Sequence, residues 1–306
     1  MGHALATLDA SSVPIVVAYS GGMDSTVLLH ATKAFCAETR RKVAALHVNH
    51  GLSSNSFQWE AFCRRQCADW GVPLTVKRVR VLAQTGRGVE AAAREARYKV
   101  LGLARAATVL LAHHAGDQAE TILFNLCRGS GMRGGAAMRP ERDRYRRPFL
   151  ALDKPCIESY ANANGLQWIH DESNDDVSLT RNFLRQEILP RLERSIPGAS
   201  RNLCAAAARF GEAAALLDEL ARIDLADPEG SFPISRSRFL ALSESRARNA
   251  LRYLLDRAGV GIPGEDRLRE AVRQLISAAP DRHPMVHFGE WRLRCSKGVI
   301  SLRREP

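Results

Sequence analysis

The sequence contains no C-x-x-C pair, and its seven cysteines are scattered along 306 residues. An odd number of dispersed cysteines argues against a disulfide framework. The closest two, Cys63 and Cys67, have the spacing C-x₃-C within a predicted helix. This spacing favours small buried thiols over zinc or iron–sulfur ligands.

Long apolar runs and an N-terminal export signal are also missing. No hydrophobic stretch approaches the ~20 residues that span a bilayer, and no lysine or arginine precedes Lys33, so we expect no secretory signal. We therefore expect a cytoplasmic protein with no membrane partner. The chain has no internal repeat, and its hydrophobic content of 45% and charged content of 25% are typical of globular proteins.

Positive charge is in excess, with a formal net charge of +11 and a pI near 9.7. The excess is concentrated between Arg128 and Arg147, where seven arginines stand against only Glu141 and Asp143 in a segment punctuated by Gly and Pro. We predict an exposed loop that binds a polyanion, because arginine pairs with phosphates and stacks on unpaired bases. The alternative is a solvated basic surface with no partner.

Strand-like and helix-like segments alternate in the first half of the chain, which predicts βαβ units and a parallel sheet. The later pattern is mainly helical, with a linker at 227–233 and a final hairpin. We predict an α/β parallel-sheet domain at residues 1–222 and a smaller, mainly helical domain with a hairpin at residues 223–306. The predicted strands are 13–18, 43–48, 74–81 and 108–112, and the hairpin is 291–302; the predicted helices are 25–35, 56–70, 88–107, 117–126, 154–164, 181–192, 203–221, 238–257 and 265–277.

A glycine pair separates the first predicted strand from the first predicted helix, in the segment Ser20-Gly21-Gly22-Met23-Asp24-Ser25. A strand, a glycine turn and a helix N-terminus direct free backbone N–H groups at one point, where the helix dipole favours an anion. The segment lacks the lysine of a Walker A loop, but Asp24 is a carboxylate suited to hold Mg²⁺ against a nucleotide phosphate. We predict that these six residues bind ATP; the alternative is an ordinary turn.

Five further motifs follow along the chain: His47-Val48-Asn49-His50-Gly51-Leu52, Ala93-Arg94-Glu95-Ala96-Arg97-Tyr98, His113-His114-Ala115-Gly116-Asp117-Gln118-Ala119-Glu120-Thr121, Arg128-Gly129-Ser130-Gly131 and Asp171-Glu172-Ser173-Asn174. Arg181-Asn182 lies downstream of them. Together with the glycine segment, this combination resembles the tRNA(Ile)-lysidine synthases, a family of the PP-loop (N-type) ATP pyrophosphatases. The resemblance covers residues 16–190 and is far more specific than any one motif.

The resemblance implies a ligase that joins the ε-amino group of free L-lysine to C2 of the wobble cytidine in isoleucine tRNA with a CAU anticodon. ATP first adenylates the C2 oxygen with release of pyrophosphate, and lysine then displaces AMP. The implied cofactors are ATP and Mg²⁺, and the implied partners are lysine and that tRNA. The amine must lose a proton to react, because its ordinary pKa is ~10.4. The sequence does not indicate whether the protein forms a homodimer.

Catalytic roles carry over by resemblance to Asp24, Arg97, His113, Asp117 and Glu120. Asp117 and Glu120 are three residues apart at a helix start, so they share a face, and we expect them to hold the lysine ammonium. The alternative is that both carboxylates only favour the positive end of the helix dipole. We expect His113 to neutralise phosphate charge and His114 to lie outside the site, because successive strand residues point to opposite faces.

Five arginines are expected to contact tRNA: Arg94, Arg128, Arg133, Arg181 and Arg185. For Arg94 and Arg97 the alternative is a surface pair of like charges relieved by Glu95. Asp171, Ser173 and Asn174 are expected either to cap the helix that carries Arg181 or to contact substrate.

Gly116 stands where the family usually has a second aspartate. Either that carboxylate is dispensable, or the Mg²⁺ or lysine site is weaker here. Other protein classes stay open. A PP-loop amidotransferase-like synthetase would need a glutaminase or an ammonia channel, and a tRNA thiolase would need a C-x-x-C pair. The sequence shows neither of these features. A non-catalytic RNA-binding protein would not convert ATP to pyrophosphate, so that turnover separates the classes.

Overall fold

The computed structural model describes residues 1–6, 8, 13–81, 89–104, 107–226, 229–261, 263–277 and 283–305. The chain divides into two compact units, Met1–Gly211 and Glu212–Pro306. The division falls within a helix, Ala199–Leu225, and the boundary predicted after residue 222 lies in the same helix.

The first unit is built from a mostly parallel sheet and the helices that connect its strands. Its strands are β1 (Ile15–Ala18), β2 (Val43–Asn49), β3 (Leu74–Arg78), β4 (Thr108–Leu110), β5 (Glu141–Arg142) and β6 (Tyr145–Arg146). Its helices are α1 (Gly2–Ala6), α2 (Met23–Thr39), α3 (Ser56–Asp69), α4 (Val89–Leu101), α5 (Ala115–Cys127), α6 (Met132–Gly135), α7 (Lys154–Ala163), α8 (Thr180–Phe183), α9 (Leu189–Ser195) and the first part of α10 (Ala199–Leu225). A 3₁₀ helix spans Glu172–Asp175, and a π-helix at Leu184–Ile188 joins α8 to α9.

The strand order is β3-β2-β1-β4-β6-β5, and only the β5–β6 pair is antiparallel within this sheet. The prediction of a parallel α/β sheet is therefore confirmed. The central strand β1 has Ile15 and Val17 fully buried, and α2 packs Val27, Leu28 and Leu29 into the same core. Each such side chain stabilises the fold by about 1.5–3 kcal/mol relative to an exposed position.

The arginine-rich segment differs from the predicted exposed loop. It contains α6 and the short hairpin of β5 and β6, and β6 pairs in parallel with β4 through Val109 opposite Tyr145 and Leu110 opposite Arg146. A two-residue strand is too short to show a hydrophobic alternation in the sequence, so the sequence does not predict these strands. Their backbone pairing defines them in the structure.

The second unit packs helices against an antiparallel sheet. Its elements after α10 are β7 (Ile234–Ser235), α11 (Arg236–Leu240), α12 (Glu244–Arg257), α13 (Glu265–Ser277), β8 (Met285–Phe288), β9 (Trp291–Ser296) and β10 (Val299–Arg304). The strand order is β7-β10-β9-β8. The predicted hairpin is β9–β10, but the sheet is larger than predicted, and the predicted helix 238–257 is two helices. In the described part of the chain, no helix is both long and apolar enough to cross a bilayer.

Candidate active site

The candidate site lies at the carboxyl ends of the parallel strands, which is where ligands bind in open α/β sheets. The glycine loop, Ser20–Ser25, follows β1, and the segment His113–Asp117 follows the neighbouring strand β4. The two segments meet, since His114 Nε2 lies 3.9 Å from Asp24 Oδ2. The sheet topology thus brings together residues about 90 positions apart in the sequence.

The glycine loop is held by its own serines. Ser25 Oγ donates to the Gly22 carbonyl at 2.9 Å, accepts from the Ser20 N–H at 3.2 Å and lies 3.0 Å from Ser20 Oγ. Gly21 has φ of +88°, and an added Cβ would lie 2.5 Å from Ile169 Cδ1 and 2.9 Å from Cys63 Sγ. Gly22 is the N-cap of α2, so the first-turn N–H groups that follow it lack intrahelical acceptors. The loop has the geometry of an anion site.

Asp24 places a carboxylate beside these N–H groups. Within the described residues, its Oδ1 is buried and receives no hydrogen bond. Burial raises the pKa of Asp24, while His114 acts in the opposite direction. A buried carboxylate oxygen without a donor is stabilised by a cation, so Asp24 fits the predicted Mg²⁺ ligand.

His114 caps α5 rather than pointing away from the site. Its ring Nδ1 accepts from the Gly116 backbone N–H at 3.0 Å. The His114 backbone N–H donates to Asp117 Oδ2 at 3.0 Å, and the two bonds together form a capping box. Because Nδ1 accepts, Nε2 carries the proton of the neutral ring. Nε2 lies 3.9 Å from Asp24 and 3.7 Å from Asp117. We expected His114 to lie outside the site, yet its imidazole lies between the two carboxylates of the site.

Glu120 and Asp117 share a face of α5, as their spacing predicted, but they face arginines. Glu120 is 1% exposed, and it accepts from Arg181 at 2.8 Å and from Arg185 at 2.7 and 3.1 Å. Arg185 also donates to Asp117 Oδ1 at 3.1 Å. Both Glu120 oxygens are therefore engaged by Arg181 and Arg185, although the Arg185 side chain stays 43% exposed. Their predicted contacts with tRNA stay predictions.

His113 contacts a buried arginine. Arg147, 8% exposed, donates from Nε to His113 Nδ1 at 3.2 Å. Burial is the main cause that lowers the pKa of His113 to about 3, and Arg147, Arg94 and Arg97 lower it further. This direction favours the uncharged imidazole, and the predicted role of His113 in neutralising phosphate charge stays a prediction. Its position next to the site residues leaves a hydrogen-bonding role open.

The two arginines of α4 lie on the exposed side of this helix, where Arg94 stacks over the Tyr98 ring at 5.2 Å. Glu95 pairs with Lys99 at 2.9 Å. Burial and, to a smaller extent, the positive charge of Arg97 lower the pKa of His50 to about 4. An open pocket of about 420 Å³ adjoins His50 at the ends of β2 and β3, with Arg78 and Arg80 in its lining. Arg78 pairs with Glu60 at 2.9 Å, so part of the positive charge at this edge of the sheet is compensated.

The remaining predicted tRNA contacts follow α5. Arg128 is exposed and stacks over the Phe124 ring at 5.1 Å, and Arg181 stacks over the same ring at 5.3 Å. Arg133 is half-buried in α6. Unpaired bases stack on guanidinium planes, so the predicted contacts of Arg128 with tRNA stay predictions.

The capping alternative for Asp171 applies to a different helix. Asp171 caps the 3₁₀ helix Glu172–Asp175 by accepting from the Ser173 N–H at 2.9 Å and Ser173 Oγ at 2.7 Å. The helix that carries Arg181 has Leu179 at its N-cap and no side-chain cap. Asn182 ties the two segments by donating to the carbonyls of Ser173 and Asp176.

A magnesium ion at this site would have few protein ligands. Among the described residues, no group of three or more His, Cys, Asp or Glu side chains could enclose a metal. Mg²⁺ commonly binds through one or two carboxylates together with substrate phosphates and water. Asp24, with Asp117 nearby, matches that arrangement.

Comparison with known proteins agrees with this geometry. A family model described as a PP-loop domain matches residues 3–192, and a model described as TilS substrate binding domain matches residues 234–300. A solved U34-tRNA thiolase NcsA from Methanococcus maripaludis, with its [4Fe-4S] cluster, has a TM-score of 0.58 and 16% identity, and the match covers 68% of this chain and 77% of that one. That likeness shows the fold alone.

Curated relatives are named tRNA(Ile)-lysidine synthase. The protein of Nitrosomonas europaea is 40% identical over 94% of this chain and 64% of its own length, and that of Burkholderia mallei is 44% identical over 96% and 62%. The chain thus spans a little under two thirds of the length of these relatives. The resemblance seen in the motifs is confirmed, and the chain belongs to the PP-loop domain family.

Proposed function

We propose that this protein ligates free L-lysine to C2 of the wobble cytidine of isoleucine tRNA with a CAU anticodon, through an adenylated cytidine, with ATP converted to AMP and pyrophosphate. The observation that carries the proposal is the meeting of the glycine loop with the N-terminus of α5, where His114 Nε2 lies 3.9 Å from Asp24 and 3.7 Å from Asp117. The similarity to curated relatives named tRNA(Ile)-lysidine synthase supports the choice of substrates.

ATP would bind with its phosphates at the glycine loop. Ser20, Gly21, Gly22, Met23 and Ser25 supply the loop and the first-turn N–H groups, and Gly22 leaves the approach free of a Cβ. Mg²⁺ bound by Asp24 would neutralise phosphate charge. Asp24 Oδ1, buried without a donor among the described residues, is the atom best suited to that ion.

Lysine would bind at the acidic face of α5. Asp117, with 18% of its side chain exposed, is the accessible carboxylate, whereas Glu120 is covered by Arg181 and Arg185. A lysine ammonium that reaches Glu120 must compete with an arginine for one of its oxygens. The surrounding guanidinium groups also favour the neutral amine, because like charge lowers the pKa of an ammonium. The amine that attacks C2 is the neutral form.

The tRNA would approach over the arginines at the edge of the site. Arg94, Arg97 and Arg128 are exposed and suited to phosphates or splayed bases. Arg97 is the proposed catalytic member, and we expect it to contact the cytidine oxygen or the α-phosphate. The second unit, which matches a substrate binding domain model, is proposed to contribute further contacts to the same tRNA.

Lysine incorporation tests the proposal. Purified protein is incubated with ATP, Mg²⁺ and radiolabelled lysine, and with either isoleucine tRNA(CAU) or methionine tRNA(CAU). We expect label on the isoleucine tRNA alone, with one pyrophosphate released per lysine incorporated. The control variant is Asp24→Asn, which keeps the shape of the side chain and removes its charge; we expect ATP cleavage and labelling to fall by ~10²-fold or more.

Other outcomes would replace the proposal. Pyrophosphate release on RNA without lysine incorporation would assign an ATP-dependent reaction with another acceptor. Neither pyrophosphate release nor label, with tRNA still bound, would indicate a non-catalytic RNA-binding protein. Equal labelling of both tRNAs would contradict the substrate assignment.

A further inference from the structure

Arg147 differs from the other arginines of its segment. Of the seven arginines between positions 128 and 147, it is the buried one, and the rest are half-buried or exposed. Several of the others have local partners in the β5–β6 hairpin: Arg146 donates to the Asp143 carbonyl, for example. Arg147 instead turns inward to His113. Its role therefore differs from that of an arginine that contacts tRNA.

The fold fixes this contact from both sides. Arg147 follows β6 and His113 follows β4, and these strands pair in parallel with Leu110 opposite Arg146. The Arg147 N–H donates to the Pro140 carbonyl at 2.8 Å, and Nη1 donates to the Arg139 carbonyl at 2.8 Å. Arg147 is thus held both at its backbone and at the tip of its side chain, and its Nε donates to His113.

The chemistry of the pair determines the state of the histidine. A guanidinium has donors only and keeps its proton in proteins. Nδ1 of His113 must therefore be the acceptor, so the neutral ring carries its proton on Nε2. The two ring nitrogens diverge, and the Nε2–H points away from Arg147. The lowered pKa of His113 agrees with this neutral state.

We propose that Arg147 is a positioning residue that fixes His113 as the neutral Nε2–H tautomer, so that the imidazole serves the reaction as a hydrogen-bond donor and not as a base or a cation. The inference rests on the proposed function and deepens it. A neutral imidazole with a fixed N–H can stabilise an oxygen that gains negative charge without prior loss of a proton. The oxygens of this kind in the proposed reaction are those of the α-phosphate and the cytidine C2 oxygen.

The first test reads the tautomer directly and does not depend on activity. Protein labelled with ¹⁵N-histidine is examined by long-range ¹H–¹⁵N correlation spectroscopy, and the His113 signals are assigned by their loss in His113→Gln. We expect a protonated Nε2 and an unprotonated Nδ1 in the wild-type protein. In Arg147→Gln we expect the tautomer to change or become mixed, whereas Arg142→Gln, at an exposed arginine of the same segment, should leave the His113 signals unchanged.

The second test asks whether Arg147 acts through His113. Lysine incorporation is measured for His113→Gln, Arg147→Gln and the double variant, after circular dichroism shows that each is folded. We expect losses of ~10²–10³-fold for His113→Gln and ~10–100-fold for Arg147→Gln. The double variant should be no slower than His113→Gln alone, because the two residues form one unit.

Two results would overturn the inference. One is a protonated Nδ1 of His113 in the wild-type spectrum, a result that does not depend on whether any variant folds. The other is a double variant whose loss of lysine incorporation equals the product of the two single losses, which would mean that Arg147 acts independently of His113. If the wild-type protein incorporated no lysine at all, the proposed function would fail, while the spectrum would still report whether Arg147 fixes the tautomer.

Discussion

Gly21 is the position in the glycine loop where a single methyl group has the clearest expected cost. Its φ of +88° is a conformation that L-residues rarely adopt, and an added Cβ would lie 2.5 Å from Ile169 Cδ1 and 2.9 Å from Cys63 Sγ. The Gly21 carbonyl also accepts from the Ile169 N–H at 2.9 Å and from Thr26 Oγ1 at 3.2 Å. The backbone is therefore held and cannot rotate freely to relieve the contact.

The cost of Gly21→Ala follows from two terms. The left-handed conformation costs about 1–2 kcal/mol for a residue with a Cβ, and overpacking of a filled site costs about 1–3 kcal/mol. We expect a destabilisation of about 2–5 kcal/mol. For a unit of this size that corresponds to a fall of roughly 4–20 °C in melting temperature. Calorimetry and urea unfolding measure it, with ATP absent so that ligand binding does not contribute.

Gly22→Ala is the matched control in the same loop. Gly22 has φ of −70°, and the nearest atom to its added Cβ is Ser20 Oγ at 3.5 Å, an ordinary contact. We expect its stability to stay within about 1 kcal/mol of wild type, which is the scale of N-cap preferences. Unchanged unfolding of Gly21→Ala, or equal destabilisation of the two variants, would refute the steric argument.

Three further predictions concern buried charges and thiols. Arginine hydrogen bonds lower the pKa of Glu60 to about 2, so its contribution to stability is present above pH 4.5 and is lost as the pH falls towards 2. In urea unfolding measured against pH, Glu60→Gln should reduce this loss of stability at acid pH. An unaltered pH dependence would contradict the pairing. Glu120→Gln should destabilise by about 2–3 kcal/mol, more than Asp117→Asn, because Glu120 is the more buried carboxylate and accepts three arginine hydrogen bonds. Iodoacetamide at pH 8 should label the exposed Cys127 and spare Cys63, whose pKa burial raises to about 12; equal labelling by peptide mass spectrometry would contradict this.

The fold could be predicted where the signal was local. The strand of Ile15 and Val17 is a β-branched run that ends in two glycines, and β2 and β4 are apolar runs that precede helices. Alternation of such segments implies parallel pairing, because a crossover helix joins parallel neighbours. The same local reasoning missed β5, β6, β7 and β8. These strands are two to four residues long, and partners distant in sequence define them.

The partners of individual arginines could not be predicted. The sequence indicated that Asp117 and Glu120 share a face, and that Arg181 and Arg185 lie on a later helical segment. Their pairing joins positions 61 to 68 residues apart, and only the packing of the π-helix against α5 specifies it. A count of arginines in a basic segment likewise does not separate the buried Arg147 from its exposed neighbours. Burial is a property of the assembled sheet.

Gly116 lets the His114 ring pack over the N-terminus of α5. Its N–H donates to His114 Nδ1, and an added Cβ would lie 2.7 Å from His114 Cε1, so the ring packs directly over the glycine backbone. Any other side chain would push the ring away from this position. With glycine, the Nε2–H of His114 is held between Asp24 and Asp117. The chain therefore places an imidazole N–H between the Asp24 and Asp117 carboxylates. Asp117 accepts from the His114 backbone N–H and from Arg185, and both oxygens of Glu120 are engaged by arginines, so among the described residues Asp24 Oδ1 is the buried carboxylate oxygen of this site that receives no hydrogen bond.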